Sequence, residues 1–219
     1  MSRRVLAATV GVTALAAVAL AAVDIDSIRP KRWREVVPGR LYRSGQLHQA
    51  LVESVLKRHN IRLIIDFTER REGDAAQEAE LAAAARLGIR HVRLPLDGWG
   101  TGRIEHYASA LTAMRTAVLS GEPCLVHCAA GSERTGAAVA FYRILFEGVE
   151  PWRAVQEMRS CGMRPHRNRK LLPYMEAALE RLPDLLAAGG VPAMARPELV
   201  GRLQLVAKTA SDRHSLAIP

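Results

Sequence analysis

Cysteine and aromatic residues are scarce in this chain of 219 residues, and their scarcity excludes several classes of protein. Only three cysteines are present, too few for a small scaffold built on disulfides. No CxxC or HxxxH pair occurs, so the usual spacing of a structural zinc site is missing and no metal is expected. Aromatic residues make up 5% of the chain, which is low for a protein that stacks on single-stranded bases.

Acidic residues are also in the minority, with 22 Asp and Glu against 31 Lys and Arg, which gives a net charge of +9. This excess predicts an anionic partner: nucleic acid, an acidic membrane surface or a phosphorylated substrate. No recognised nucleic-acid-binding motif accompanies the charge, so nucleic acid is not expected. The apolar fraction of 49% is enough for a buried core and excludes wholesale disorder.

Residues 5–23 form an uncharged run of 19 residues, about 28 Å long if helical and therefore close to the thickness of a bilayer core. We consider three interpretations: a retained membrane anchor, an export signal cleaved near the small residues 19–21, and a buried soluble helix. A soluble helix would lack a polar face for solvent. Basic residues flank the run on both sides, so the positive-inside rule does not fix the side of the membrane that the rest of the chain faces.

Between residues 35 and 188 helical and strand patterns alternate, which predicts one α/β domain with a central, mainly parallel sheet flanked by helices. Strands are expected at 61–67, 91–96 and 123–127, and helices at 47–60, 77–87, 103–119, 135–146, from Pro151 onward and at 168–182. The hydrophobic segment 1–23, a basic linker at 24–34 and a tail at 189–219, with a helix near 197–208, complete the predicted organisation.

The loop between the third predicted strand and the helix after it carries the strongest chemical signal. Residues 127–136 read His-Cys-Ala-Ala-Gly-Ser-Glu-Arg-Thr-Gly, with Cys128 at the strand end and Arg134 at the helix start. The amides of a loop at a helix N-terminus can turn inward and bind an anion, and they favour a thiolate at Cys128. Arg134 can hold two phosphate oxygens. The expected phosphate-binding residues are Ala129, Ala130, Gly131, Ser132, Glu133 and Arg134.

This loop resembles the signature of the cysteine-dependent protein tyrosine and dual-specificity phosphatases, His-Cys-x5-Arg-Ser/Thr-Gly. The matching positions are His127, Cys128, Gly131, Arg134, Thr135 and Gly136. Residues 38–46 also resemble the opening segment of bacterial dual-specificity members, so the similarity covers roughly residues 35–180. The resemblance implies hydrolysis of phosphate monoesters of phosphoprotein, on tyrosine or on serine and threonine, through a cysteinyl-phosphate and without a cofactor.

In this family an Asp on a loop after a strand protonates the leaving group, roughly thirty residues before the nucleophile. Asp97 follows a predicted strand and lies 31 residues before Cys128, and the glycines of loop 97–102 would let it move over a substrate. An ordinary turn Asp is the alternative. Asp66, which also ends a strand, is the competing acid and is otherwise expected to hold loops in place.

The remaining polar and sulfur residues of the region have supporting or neutral interpretations. His127 is expected to hold the loop or to assist formation of the thiolate, and the Thr135 hydroxyl to hydrogen-bond the thiolate or help it leave. Cys124 is expected to be a buried apolar residue. Cys161 is either inert or a resolving thiol.

A basic cluster follows the loop in sequence: Arg159, Arg164, Arg167, Arg169 and Lys170. It is either a solvated helix end or an anion-attracting rim beside the site. A rim would also suit the phosphates of membrane lipids, and a phosphoinositide or inositol phosphate phosphatase is therefore the alternative function. The absence of Lys from positions 129–133 argues against it. A phosphate-binding module without turnover is the third possibility.

Overall fold

The computed structural model describes residues 25–193 as alternating strands and helices. The strands are β1 (Arg34–Val37), β2 (Leu41–Gly45), β3 (Leu63–Asp66), β4 (Arg90–Arg93) and β5 (Cys124–Cys128). The helices are α1 (Val52–Arg58), α2 (Ala75–Leu87), α3 (Ile104–Ser120), α4 (Glu133–Glu147), α5 (Pro151–Ser160) and α6 (Leu171–Ala188). The uncharged run 5–23 and the predicted tail helix 197–208 lie outside the described residues. Within 25–193, every helix is too short or too polar to cross a membrane.

The strands form one sheet in the order β1-β2-β5-β3-β4, in which only β1 is antiparallel to its neighbour. The predicted α/β fold with a mainly parallel sheet is therefore confirmed. In the register of the parallel strands, Gly45 lies opposite Cys128 and Asp66 lies opposite His127. The carboxyl ends of β2, β3 and β5 thus meet at one edge of the sheet, where the loops of an open α/β protein bind ligands.

Alternate residues of the central strands enter two separate apolar layers. Ile64 and Leu125 pack in the layer with α1 and α2, whereas Ile65 and Val126 pack in the larger layer with α3 to α6. This alternation follows from the period of two in a strand. Helix α4 is buried on nearly all sides, as its uniformly apolar sequence predicts, and its N-terminus is therefore fixed against the sheet edge.

The helix ends show how local sequence sets these boundaries. Gly88 ends α2 and Gly121 ends α3, both with left-handed backbone at φ 64° and 76°, as predicted for C-terminal caps. Helix α2 begins two residues earlier than expected because Asp74 caps it, accepting hydrogen bonds from the amides of residues 76 and 77. Helix α6 continues past Pro183 to Ala188, beyond the predicted end at residue 182.

Candidate active site

Cys128 lies at the carboxyl end of β5, in the middle of the sheet, and is 1% exposed. The chain then turns through residues 129–132 and enters α4 at Glu133. The amide of Gly131 donates a hydrogen bond to the Cys128 sulfur over 3.1 Å. The loop therefore turns back on itself and brings one of its own amides against the sulfur.

The carbonyls of this loop are held by donors from outside it. The amide of Gln46 donates to Ala129 O over 3.2 Å, Arg32 donates to Ala130 O over 2.7 Å, and the buried Arg43 donates to Gly131 O. Because the N–H and C=O of one peptide point in opposite directions, carbonyls turned outward leave amides that face the interior of the loop. Inward-facing amides of this kind are a common form of anion-binding site.

Position 131 requires glycine for two reasons: its backbone conformation and the lack of space for a side chain. Its φ is +75°, and a Cβ built there would lie 2.5 Å from the nitrogen of Gly45 and 2.7 Å from the carbonyl carbon of Ser44. The end of β2 therefore touches the loop directly. A side chain at Gly45 would also clash with the loop, since its Cβ would lie 2.9 Å from Ala130 O.

Arg134 and Thr135 occupy the first turn of α4. The Arg134 guanidinium donates to Phe67 O, just beyond the end of β3, over 3.0 Å. Thr135 is fully buried, and its Oγ1 has no hydrogen-bond partner among the described residues. The predicted hydrogen bond from Thr135 to the Cys128 sulfur is therefore not formed in this structure.

Asp97 is exposed, and its carboxylate is bound by its own loop. Oδ1 accepts from the amides of Trp99 and Thr101 over 2.9 and 3.0 Å, and Oδ2 accepts from the Thr101 hydroxyl. Partial burial would raise the pKa of Asp97, but these donors outweigh it and hold the pKa below its ordinary value. The carboxylate is thus stabilised as an anion, which suits a base better than an acid.

Three side chains hydrogen-bond to the glycine-rich loop 97–102, which was predicted to move over a substrate. Asn168 donates to the carbonyl of residue 99 over 2.6 Å, buried Tyr107 to Gly100 O over 2.7 Å, and Tyr174 to that of residue 102 over 3.1 Å. A Cβ at Gly100 would lie 3.3 Å from the nitrogen of Arg134, so the loop rests directly on the start of α4. The sequence reasoning missed these three anchoring side chains. Asn168 and Tyr174 lie far along the chain, and nothing in the local sequence marks Tyr107, in the helix that follows, as a donor to the loop.

The ring of His127, which was predicted to hold the loop or to assist formation of the thiolate, takes part in a buried polar cluster. Its Nε2 lies 3.1 Å from Glu80 Oε1 and 3.8 Å from Asp66 Oδ1. The same Glu80 oxygen lies 3.0 Å from His91 Nε2, and Arg93 Nε donates to Asp66 Oδ2 over 2.8 Å. Asp66, the competing acid, also accepts from the amide and hydroxyl of residue 68 and therefore anchors this cluster.

Four side chains of this cluster could together hold a metal ion: Asp66, Glu80, His91 and His127. Their ligand atoms lie within 4.8 Å of one another. The direct His–Glu distances are ordinary hydrogen bonds. Burial alone would lower the pKa of His127, but Glu80 and Asp66 raise it to about 9. Burial would raise the pKa of Glu80, but the two histidines lower it to about 2. Hydrogen bonds from the two imidazoles to Glu80 thus account for the His–Glu distances in this cluster.

The two other cysteines are buried and free. Cys124 begins β5 in the apolar layer, and burial raises the pKa of its thiol, which makes it inert, as expected. Cys161 ends α5.

The basic cluster lies next to both parts of the candidate site. Asn168, which binds loop 97–102, belongs to the segment between α5 and α6, and a Cβ at Gly162 would lie 2.8 Å from Arg32 Nε, whose side chain binds the Cys128 loop. Exposed side chains of this segment are Arg164, Arg167, Arg169 and Lys170, whereas Arg159 is half-buried in α5. We call the four exposed side chains the basic rim.

The fold and the loop define an α/β protein with a cysteine-based anion-binding loop between a strand and a buried helix. The model of the tyrosine phosphatase family matches residues 24–151, and the chain belongs to this family. The dual specificity protein phosphatase TpbA of Pseudomonas aeruginosa (strain UCBPP-PA14) is 30% identical over 122 residues, which are 56% of this chain and 51% of TpbA. The match thus spans about half of that relative.

Solved structures agree on the fold. The crystal structure of P. aeruginosa TpbA is 24% identical, with a TM-score of 0.56, and the likeness covers 77% of this chain and 94% of that one. A putative phosphatase from Shewanella putrefaciens CN-32 is 23% identical, with a TM-score of 0.54, over 73% of this chain and 95% of that one.

Proposed function

We propose that the chain is a phosphatase that hydrolyses phosphate monoesters of phosphoprotein through a cysteinyl-phosphate. The observation that carries the proposal is the hydrogen bond from Gly131 N to the Cys128 sulfur, inside a loop that ends with Arg134 on the first turn of α4. A crystal structure of a cysteine-to-serine variant of TpbA in complex with pTyr is known, which supports a phosphorylated amino acid as the substrate group.

In the first step the Cys128 thiolate attacks phosphorus, an S–P bond forms and the bond from phosphorus to the leaving oxygen breaks. The loop amides and the Arg134 fork stabilise the negative charge on the phosphoryl oxygens. In the second step water attacks phosphorus, the S–P bond breaks, and inorganic phosphate leaves the regenerated thiolate. The positive charge required by both steps comes from the chain itself, so neither step requires a cofactor.

Asp97 is proposed as the acid of the first step and the base of the second. A carboxylate bound by three donors is suited to accept a proton from water. To donate a proton it must first be protonated, and the hydroxyl of Thr101 must turn away from Oδ2. We therefore propose that the acid form arises when loop 97–102 rearranges around a bound substrate. The free-energy cost of this rearrangement would come from breaking the hydrogen bond from Thr101 to Asp97.

The basic rim supports an anionic substrate surface near the phosphorylated residue. It is also the observation that favours the second candidate function, hydrolysis of phosphoinositides or inositol phosphates. Against this candidate, Glu133 places a carboxylate at the loop, where its Oε2 accepts from the Ser132 hydroxyl over 2.6 Å. A negative charge at this position disfavours a substrate with several phosphates.

Hydrolysis of p-nitrophenyl phosphate by Cys128→Ser and Arg134→Ala tests the chemistry. We expect both variants to lose measurable turnover, Asp97→Asn to slow it by about 10²–10⁴-fold, and Cys124→Ser to retain it as a matched control for the buried thiols. Full activity of Cys128→Ser would refute the mechanism. Binding of phosphopeptide without hydrolysis by the unaltered chain would instead indicate a phosphate-binding module.

A substrate panel at matched concentrations tests the substrate class. The panel contains a phosphotyrosine peptide, a phosphoserine peptide and a soluble phosphoinositide, each followed by release of inorganic phosphate. The proposal requires that a phosphopeptide gives the highest kcat/KM. Preference for the phosphoinositide by tenfold or more would replace it with the second candidate function.

We also propose that residues 5–23 direct the chain to a membrane or out of the cytoplasm, as a retained anchor or as a cleaved signal. Their support is the length of the uncharged run. Cell fractionation with N-terminal sequencing of the mature protein separates the two outcomes. An uncleaved chain that stays in the soluble cytoplasmic fraction would refute both.

A further inference from the structure

We propose that Arg32 is a positioning residue for the catalytic loop, residues 128–134: from the basic linker it fixes the orientation of the peptide that joins Ala130 to Gly131. The proposal rests on Cys128 as the nucleophile of the proposed function. The linker was predicted to lie outside the catalytic domain, and no step of the mechanism above uses Arg32. What the linker adds is a hold on one peptide, the one whose amide contacts the nucleophile.

Both polar groups of this peptide have a partner. Arg32 Nη1 donates to Ala130 O over 2.7 Å, and the amide of Gly131 donates to the Cys128 sulfur over 3.1 Å. Because the C=O and N–H of a trans peptide point in opposite directions, the guanidinium holds the oxygen on one side and so directs the N–H toward the sulfur on the other. A charged donor makes this bond stronger than a neutral donor would.

The peptide needs such a hold because a glycine follows it. A peptide turns over by rotation about ψ of the residue before it and φ of the residue after it, and glycine accepts φ values of either sign. Gly131 has a φ of +75°, so a rotation that carries it to negative φ meets no penalty from a Cβ. The reversed peptide would remove a donor from the anion-binding loop and put the oxygen of Ala130 in its place.

The linker is fixed on both sides of Arg32. The amide of Gly45, at the end of β2, donates to Lys31 O over 2.7 Å, and Arg34 donates to Oγ and O of Ser160, each over 3.1 Å. Arg32 itself has a φ of +51°, a conformation that residues other than glycine seldom adopt. The flanking contacts therefore hold the backbone in an unfavourable conformation that brings the side chain against the loop.

The side chain of Arg32 is also confined. Its Nε lies against Gly162, just after α5, where a Cβ would come within 2.8 Å of it. Arg32 is nevertheless exposed as a whole, so its replacement removes a hydrogen bond and a charge but no part of the apolar core. Arg29 is exposed in the same linker and carries the same charge, which makes it the matched control.

Three variants of the full-length protein separate positioning from charge: Arg32→Ala, Arg32→Lys and Arg29→Ala. Each is compared with the unaltered protein for kcat and KM with p-nitrophenyl phosphate and for the affinity of inorganic phosphate by calorimetry, at low and at high salt. Unfolding in urea measures the stability of each variant. Phosphate binding does not depend on turnover, so an unaltered chain that binds phosphate without hydrolysis would refute the proposed function and would still test this inference.

We expect Arg32→Ala to lower kcat about tenfold and to weaken phosphate binding at both salt concentrations, because one donor of the anion-binding loop is no longer directed inward. Arg32→Lys should recover part of the loss, since an ammonium can also donate to Ala130 O. Arg29→Ala should leave kcat unchanged, and the urea midpoint should be the same in all variants. A rise in KM alone, confined to low salt, would show that Arg32 only attracts anions and would overturn the proposal, as would equal kcat values for Arg32→Ala and Arg29→Ala.

A second measurement follows the peptide itself and needs neither phosphate nor substrate. Hydrogen exchange of the Gly131 amide, read by NMR, should be at least about tenfold faster in Arg32→Ala than in the unaltered protein, because the bond to the sulfur opens more often. The amide of Gly136, which donates to Ser132 O over 2.9 Å, is the internal control and should keep its rate. An unchanged rate at Gly131, or equal acceleration of both amides, would overturn the proposal.

Discussion

Replacing Gly131 by alanine provides a sharp quantitative test of how the catalytic loop is built. The new Cβ meets two separate penalties. A φ of +75° places an L side chain in the left-handed region, which costs about 1–2 kcal/mol. The Cβ would also lie 2.5 Å from the nitrogen of Gly45 and 2.7 Å from the carbonyl carbon of Ser44, and these are backbone atoms at the end of a paired strand.

The steric penalty is large because the three atoms nearest to the new methyl group are all backbone atoms of β2. Either β2 or the loop must shift by about 0.5–1 Å, and forced displacement of this kind in a packed interior costs about 1–3 kcal/mol. The two penalties together predict a loss of about 2–5 kcal/mol in the free energy of unfolding. Activity should fall more than tenfold even where the variant is folded, because the amide of Gly131 is the donor to the Cys128 sulfur.

Alanine substitutions at two further glycines separate the conformational penalty from the steric one. Gly88→Ala has a φ of +64° with no atom within 4 Å of the new Cβ, so it carries the conformational cost alone. In Gly136→Ala the atoms nearest to the Cβ belong to the flexible side chain of Met158, at 3.4 Å and beyond, and a helix interior favours Ala over Gly by about 0.5–1 kcal/mol. We expect Gly136→Ala to be neutral or stabilising.

Denaturant unfolding of the three variants is the assay. The expected order of destabilisation is Gly131→Ala, then Gly88→Ala, then Gly136→Ala. If Gly131→Ala destabilised no more than Gly88→Ala, the contact between β2 and the loop would not be rigid. The argument that the sheet edge fixes the loop would then be wrong.

Three further predictions follow from charge and hydrogen bonding. Thr101→Val removes a donor that lowers the pKa of Asp97, so the alkaline limb of the pH profile of kcat/KM should move to higher pH; an unchanged limb would exclude Asp97 as the acid. His127, with its pKa raised to about 9 from 6.5, contributes stability that is full below pH 6.5 and is lost as pH rises through 9. Glu80, with its pKa lowered to about 2 from 4.5, contributes stability above pH 4.5 that is lost as pH falls through 2. The free energy of unfolding in urea should therefore show that the pair stabilises the protein most between pH 4.5 and 6.5. The same free energy of unfolding in that range and at about pH 9.5 would contradict this prediction. Arg167→Glu, in the basic rim, should raise KM several-fold for an acidic phosphopeptide at low salt and much less at high salt; equal KM values would indicate a solvated surface.

The strand, loop and helix around Cys128 could be predicted because their signals are local. A run of apolar residues ends at the cysteine, a glycine occurs where a left-handed backbone is needed, and an apolar helix follows. The order of the strands is not local. β1 and β2 form one edge of the sheet although they come first in the chain, and β5 inserts between β2 and β3, a choice made by packing that no single segment specifies.

Glu78 and Glu80 show why the supporting charges were missed. Both occur in the same Ala-rich stretch and look equally suited to a solvated helix surface. In the fold Glu78 is exposed and Glu80 is 1% exposed, against two histidines from β4 and β5. Only the packing of α2 on the sheet distinguishes them. The same holds for Arg43, which lies in β2, is fully buried, and donates to a loop carbonyl.

These supporting contacts determine how the site should respond to substitution. Three successive loop carbonyls are bound by donors from three different residues, Gln46, Arg32 and Arg43, so the amides are oriented before any substrate arrives. Preorganised donors stabilise a transition state without reorganising during the reaction. Because the donors come from separate residues, loss of one leaves the other two in place, and its effect should be graded. Gly131 differs, since the contact it allows is between two backbones, and no other residue in the loop can restore it.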